Sequence, residues 1–403
     1  MQRFNFVAIT SIAASAIFLA ACSKKEEAPP PAAEAPKAEE PKGADPAQFL
    51  NQPLVSEIYT ADPSAHVFNG RIYVYPSHDI ETGIASDGLG NQYDMKDYRV
   101  LSMDSIGGPV TVHDVALDVK DVPWASRQMW APDAAEKDGK YYLYFPVKDK
   151  DGVFRIGAAV SDKPEGPFKA QPEPMKDTFS MDPAVFKDTD GKYYLYFGGI
   201  WGGQLQHWKT GKHTPDDDSQ PADDQPALLP KVARLADNMV EVAEKPKDVK
   251  IVDENGKLLL SGDHDRRFFE AAWVHKYNGN YYLSYSTGDS HFIAYAMGKS
   301  PYGPFTYKGN ILMPVLGWTN HHSIVEVDGK WYLFYHDSQL SNGANHLRNV
   351  KQPVEIQYNE DGTIVPIDPY FGDDIGASAL PVPKPEAPPA APDAPPPPAP
   401  SAG

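Results

Sequence analysis

The sequence predicts an all-β fold, a five-bladed β-propeller, on three observations. Forty prolines and 22 tyrosines in 403 residues suit strands and turns, because proline breaks helix interiors while aromatic residues fit a pleated sheet. One short pattern, a glycine turn followed by a Tyr-rich strand, returns five times. No helical segments alternate with the copies, so the units stack as radial sheets rather than as βαβ layers.

The copies are Asn69-Gly70 before Arg71–Tyr75, Asp138-Gly139 before Lys140–Phe145, Asp190-Gly191 before Lys192–Phe197, Asn278-Gly279 before Asn280–Tyr285 and Asp328-Gly329 before Lys330–Tyr335. Asn-Gly and Asp-Gly are the dipeptides of a type I′ hairpin, whose two central residues need positive φ. Each copy is therefore the turn and second strand of a hairpin. Apolar stretches before the turns supply the first strands: Ala65–Phe68, Ala134-Ala135, Pro183–Phe186, Ala271–Val274 and Ser323–Val325. A third strand follows at least twice and ends in a matched corner, Lys163-Pro164-Glu165-Gly166-Pro167-Phe168 and Ser300-Pro301-Tyr302-Gly303-Pro304-Phe305. A β-sandwich competes as an architecture, but its strands seldom repeat one motif five times.

The two ends read differently from the middle. Arg3 followed by the apolar run Phe6–Ala21 is a charged n-region and an h-region too short to span a membrane, so residues 1–21 are read as a signal peptide. The run ends in Leu19-Ala20-Ala21-Cys22, and Cys22 is the one cysteine of the chain, which excludes an internal disulfide. The stretch resembles a bacterial lipobox, with Cys22 the lipidated residue, and Ser23 in place of Asp favours the outer membrane over the inner. Residues 22–48 form a Lys/Glu/Ala/Pro linker and residues 381–403 a Pro/Ala tail, too poor in apolar side chains to fold. The propeller is expected over 49–380. A formal charge of −18 with no basic cluster excludes a nucleic-acid partner.

Function enters through phase. Eight or nine residues before each turn glycine stand Asp62, Trp130, Asp182, Glu270 and His321. The first strand of every propeller blade lines the central channel, so these five positions converge on one end of one axis. Periodic tyrosines at this phase would be core; periodic carboxylates are costly to bury without a purpose. Asp-Pro alone, as in Asp62-Pro63 and Asp182-Pro183, is ordinary turn chemistry, and only the recurrence argues for a site. Glu270, between Phe268-Phe269 and Ala271-Ala272-Trp273, sits among apolar groups that keep a carboxyl protonated. Two carboxyls in opposite environments across a channel are the minimum for glycoside hydrolysis, one protonating the leaving oxygen and the other activating water. Trp130 and Trp201 suit an aromatic plane under a sugar, with packing as the plain alternative. Arg348 follows the second strand of the fifth blade, within reach of the site or else a surface charge. No His-Glu-x-x-His and no cysteine set argues for catalytic zinc, although a hard cation held partly through water fits His321 or His322.

Taken together, Ala61-Asp62-Pro63, Trp130-Ala131-Pro132-Asp133, Asp182-Pro183-Ala184, Phe268-Phe269-Glu270-Ala271 and Asn320-His321-His322-Ser323 make residues 50 to 370 resemble glycoside hydrolase family 43. The resemblance implies that Asp62 is the general base, Glu270 the general acid and Asp182 the residue that orients the acid and tunes its pKa. It implies further that His321 touches a structural calcium or a water in its place, that Arg348 contacts a bound pentose, and that the chemistry itself needs no cofactor. Asn320-His321-His322-Ser323 stands where the family often has Gly-His-Gly-Ser. The expected activity is inverting hydrolysis of xylose- or arabinose-containing glycosides of the xylan or arabinan type by an exo-acting β-xylosidase. An α-L-arabinofuranosidase or an endo-arabinanase is the alternative, the latter if the connections around 81–95 and 202–262 leave the channel mouth open. A carbohydrate-binding propeller without turnover is the alternative from another class, and it would need neither an acid nor a base.

Overall fold

The computed structural model describes residues 45–344 and 346–371, all within one compact unit. The signal peptide, Cys22, most of the linker and the C-terminal tail lie outside the described residues. Five sheets follow one another along the chain. Blade 1 is Tyr59–Phe68, Arg71–Asp79, Asp97–Met103 and Thr111–Asp118, paired in that order. Blade 2 begins with Asp133–Lys137, which pairs with Lys140–Asp149, and continues to Phe154–Ser161 and Lys169–Ala170, while Ala125–Arg127 adds to the far end of Lys140–Asp149. Blade 3 is Ala184–Lys187, Tyr193–Phe197, Lys231–Arg234 and Lys247–Asp248. Blade 4 is Glu270–Tyr277, Asn280–Ser286, Ile293–Gly298 and Phe305–Leu312, with Ile251–Val252 parallel at its outer edge. In blade 5, His322–Val327 pairs with Lys330–Asp337, on which both Asn349–Val350 and Val354–Glu355 lie.

The first strands of successive blades contact each other round the ring, as the phase argument requires. Four of the five hairpin turns have both central residues at positive φ, for example 52° at Asn69 and 78° at Gly70. The third copy departs from this: Lys187 pairs with Tyr193, which leaves Asp188–Lys192 as a longer loop in which only Gly191 is left-handed.

The Tyr-rich second strands are explained by the seams between blades. A strand alternates its side chains between two faces, and each face here meets a different neighbour. Tyr141, Leu143 and Phe145 pack against blade 1. Tyr144, next to them in sequence, packs against blade 3. The same division places Tyr194 and Tyr196 toward blade 4 and Tyr193, Leu195 and Phe197 toward blade 2. One apolar cluster fills each of these seams, and one each fills those between blades 4 and 5 and between blades 5 and 1. Tyrosine hydroxyls close the outer rim by donating to backbone carbonyls of the next blade. Tyr75 donates to Pro164 and Tyr196 to Pro301, which gives the matched corners their role.

Near the axis a second ring of hydrogen bonds joins the first strands. Ser64 Oγ donates to the Pro132 carbonyl (2.8 Å), Val185 N to Asp133 Oδ2 (2.5 Å) and Ala271 N to Asp182 Oδ2 (2.9 Å). Trp273 Nε1 donates to the Ile324 carbonyl (3.0 Å) and Ala65 N to Ser323 Oγ (3.0 Å), completing the circuit. Closure of the chain on itself is by backbone: Phe49 pairs with Tyr370, Pro53 with Lys351, and Thr60 N donates to the Arg348 carbonyl.

Asp133 is fully buried and ties three blades, since its other oxygen holds His66 Nε2 at 2.6 Å. Hydrogen bonds to a charged group contribute about 1.5–3 kcal/mol each. Asp133→Ala is therefore expected to lower unfolding stability by roughly 3 kcal/mol or more in chemical denaturation, and by far more than the exposed Asp190→Ala. Equal effects of the two substitutions would contradict the circuit.

Candidate active site

Two of the five phase positions, and the residue beside a third, come to the axis in a backbone conformation that strands do not normally adopt. Asp62 has φ 50°, Asp182 φ 53°, and Ala271, beside Glu270, φ 60°. In blades 1 and 4 these coincide with register shifts, between Ala61 and Ser64 and between Glu270 and Trp273. A bulge re-aims a side chain out of the ladder, and left-handed backbone away from glycine costs about 1–2 kcal/mol per residue. Strain recurring at equivalent places in separate blades marks a shared purpose.

Asp62 is buried and held by three hydrogen bonds. Ser77 Oγ donates to Oδ2 (2.6 Å), Arg348 Nη1 donates to Oδ1 (3.1 Å), and the Asp62 amide donates to His336 Nδ1 (3.0 Å). That last bond fixes the tautomer of His336: Nδ1 accepts, so Nε2 carries the hydrogen and donates to the Thr319 carbonyl at 3.0 Å. Burial opposes ionisation of Asp62, but Arg348 and then His336, His321 and the Ser77 hydroxyl outweigh it and hold the carboxyl down to about 2. Burial also pushes His321 down to about 4 and His336 to about 3. At neutral pH both imidazoles are therefore uncharged while Asp62 is ionised, and the guanidinium is the partner that counts there.

Glu270, the first residue of its strand, is in the opposite state. It is half-buried, and among the described residues its carboxyl has no hydrogen-bond partner. Burial first, and the Asp62 charge second, raise it to about 8, with Arg348 opposing. Asp182 is also pushed up, by burial and then by Glu270 and Asp62. Its Oδ2 accepts from the Ala271 amide, so it grips the backbone immediately after Glu270.

His321 lies between the acids, its Nδ1 at 3.6 Å from Asp62 Oδ1 and 4.0 Å from Asp182 Oδ2. His322 points into the seam instead, with Nε2 at 2.6 Å from Ser284 Oγ. Among the described residues no three His, Cys, Asp or Glu side chains converge on one ion. Calcium takes roughly six to eight oxygen ligands, and His321 alone is no cage for it.

Arg348 is buried. Its Nε and Nη2 donate to the two oxygens of Asp79 (both 2.8 Å), and Nη1 also reaches Thr319 Oγ1 (3.2 Å). These bonds use four of the five guanidinium hydrogens and leave one on Nη2. The ring of Tyr93 lies beneath the guanidinium at 4.5 Å and is stacked on Trp318 at 6.3 Å. Trp130 is only 9% exposed: it donates through Nε1 to the Tyr93 carbonyl and packs on Phe154, Tyr93, Met95 and Met181. Trp201 is half-buried against the seam between blades 3 and 4. Trp130 therefore offers no broad free face. Sequence reasoning did not single out Ser77, Asp79, Tyr93, Trp318 or His336. Ser77 and Asp79 alternate on one face at the end of an apolar strand, a polar pair whose spacing marks a common target.

The connections that follow Asp79 and Phe197 meet over Trp130. A side chain on Gly202 would stand 2.6 Å from the Leu89 carbonyl and 3.0 Å from the Trp130 ring, and one on Gly199 would stand 3.2 Å from Glu270 Cβ. Glycine at both places lets the loop pass closely between Glu270 and Trp130, walling that side of the mouth.

An ionised and a protonated carboxyl at one end of a five-bladed axis define a propeller glycosidase. The chain belongs to glycosyl hydrolases family 43, whose model matches residues 51–364. It is 60% identical over 321 residues to xylosidase/arabinosidase 43A of Humicola insolens, covering 78% of this chain and 98% of that protein. It is 50% identical over 313 residues to a β-xylosidase of Xylanibacter ruminicola, covering 76% and 96%. Among solved structures it resembles CoXyl43, a β-xylosidase/α-arabinofuranosidase from a compost microbial metagenome, solved with xylotriose in a calcium-free form. The identity is 62% and the TM-score 0.79, over 82% of this chain and 99% of that one.

The charge states are directly measurable. With 13C-labelled carboxyls, one glutamate is expected to stay protonated at pH 7 and to ionise as pH rises through about 8, and this signal is absent in Glu270→Gln. Titration of every glutamate near the ordinary 4.5 would contradict the arrangement.

Proposed function

We propose that this protein is an exo-acting β-xylosidase that removes xylose from the ends of xylan-derived oligosaccharides by single displacement with inversion. In this reading Glu270 protonates the leaving oxygen, Asp62 draws the proton from the attacking water, and Asp182 keeps Glu270 in place and protonated. The observation that carries it is the opposite protonation of Asp62 and Glu270, which matches the needs of a base and an acid at the same pH. A sugar-binding propeller would gain nothing from such a split. The wall formed where Leu89 meets Gly202 suits the end of a chain rather than its middle. An α-L-arabinofuranosidase activity at the same site is the second reading, favoured by the double name of the 60% identical relative.

Nitrophenyl β-xyloside, nitrophenyl α-arabinofuranoside and xylobiose test the reading with the purified protein. The xylosides are expected to be cleaved, with xylose released singly. Glu270→Ala is expected to lose ~10²–10⁴-fold on xylobiose and far less on the nitrophenyl substrate, whose leaving group needs no proton, while Asp62→Ala loses comparably on both. Binding of xylan without release of sugar would leave the lectin-like reading standing instead.

A further inference from the structure

The group that links ring closure to the chemistry is Asp79, at the end of the second strand of blade 1. It is buried, and its two oxygens take three hydrogen bonds from one residue: Oδ1 from Arg348 Nη2 (2.8 Å), and Oδ2 from Arg348 Nε (2.8 Å) and from the Arg348 main-chain amide (2.9 Å). The Arg348 carbonyl in turn accepts from Thr60 N, two residues before Asp62. Both the backbone and the side chain of Arg348 are thus registered on blade 1, although 269 residues separate it from Asp79.

A guanidinium is a planar fork with five hydrogens in fixed directions. Once one edge lies in the Asp79 carboxylate, the direction of Nη1 is set, and it falls on Asp62 Oδ1 and Thr319 Oγ1. The Tyr93 ring under the guanidinium at 4.5 Å keeps its plane. Asp62 Oδ2 is fixed separately by Ser77, so the two oxygens of Asp62 are held by partners from opposite ends of the chain. Without Asp79, Arg348 would be free to turn both nitrogens of one edge onto Asp62, its one remaining anionic partner, and occupy the carboxylate that has to receive a proton from water.

We propose that Asp79 is a positioning residue of the reaction: by seating the far edge of Arg348 it limits the guanidinium to one hydrogen bond with Asp62 and leaves the rest of that carboxylate free to act on water. The inference rests on Asp62 being the base. It predicts a loss carried chiefly by turnover, because Asp79 is bonded to Arg348 and acts on Asp62 through it.

Asp79→Asn keeps the shape of the side chain but sets an amide N–H against an arginine N–H. On both nitrophenyl β-xyloside and xylobiose its kcat is expected to fall ~10-fold or more, with KM changed less than about threefold, the pattern of a weakened base rather than a weakened acid. In an Arg348→Gln background the same substitution is expected to add no further loss, since Asp79 acts through Arg348. Arg348→Lys, which keeps the charge but has no fork, is expected to show the same kcat-limited loss and serves if Asp79→Asn does not fold. A rise in KM at unchanged kcat, losses that multiply in the double variant, or a Lys variant with wild-type kcat would each overturn the proposal. Asp62→Ala separates the levels: if it keeps wild-type activity, the functional reading itself fails; if it is inactive while Asp79→Asn turns over normally, only the present inference does.

Discussion

One buried cation sets the state of this site. Arg348 acts on Asp62, Asp182 and Glu270 alike, but it touches only Asp62. An ionised carboxylate in a buried place needs a partner, and the guanidinium supplies one for Asp62. Among the described residues neither Glu270 nor Asp182 has a guanidinium or ammonium partner, and the charge on Asp62 makes their own ionisation harder still. Division of labour between acid and base therefore follows from the placement of a single arginine, not from any difference between the carboxyl groups themselves.

That placement depends on the fold closing. Arg348 belongs to the last blade and its partners Asp62 and Asp79 to the first, so the ion pair exists only when the ring is complete. The apolar seams and the circuit of hydrogen bonds between first strands hold the blades in register. The left-handed residues Asp62 and Ala271 are tolerated within that frame because their amides are held by the preceding blade, at His336 and Asp182. Asp182 takes part in both systems: its carboxyl bonds the strained Ala271 amide across a seam, and this seats Glu270 at the head of its strand.

The propeller was legible because its local signals are redundant. Five turn dipeptides, five first strands and a common phase point the same way, and a single irregular turn at Asp188–Lys192 does not disturb the count. The phase also located Asp62, Asp182, Glu270 and His321. What it missed are residues that reach the site from other strands and connections. Asp79 and Ser77 come from a second strand, His336 from another, and Tyr93 and Trp318 from connections whose course no periodicity fixes. Trp130 shows the converse limit: its phase is right, but the two connections that carry Gly90 and Gly202 cover it, and their approach is a tertiary event. Arg348 was found, yet its bonds to Asp79 depend on contacts between the two ends of the chain, which sequence spacing cannot measure.

The account stands on Asp62 acting as a base on water rather than as a nucleophile. Its carboxylate is pinned by Ser77 and Arg348, and it projects from blade 1 while the acid projects from blade 4. In inverting enzymes the two carboxyls stand about 6.5–9.5 Å apart, which leaves room for the water, against roughly 5–5.5 Å in retaining ones. Proton NMR of the sugar first released from a β-xyloside, recorded before mutarotation, decides between them. The account predicts α-xylose, and release of β-xylose would contradict it.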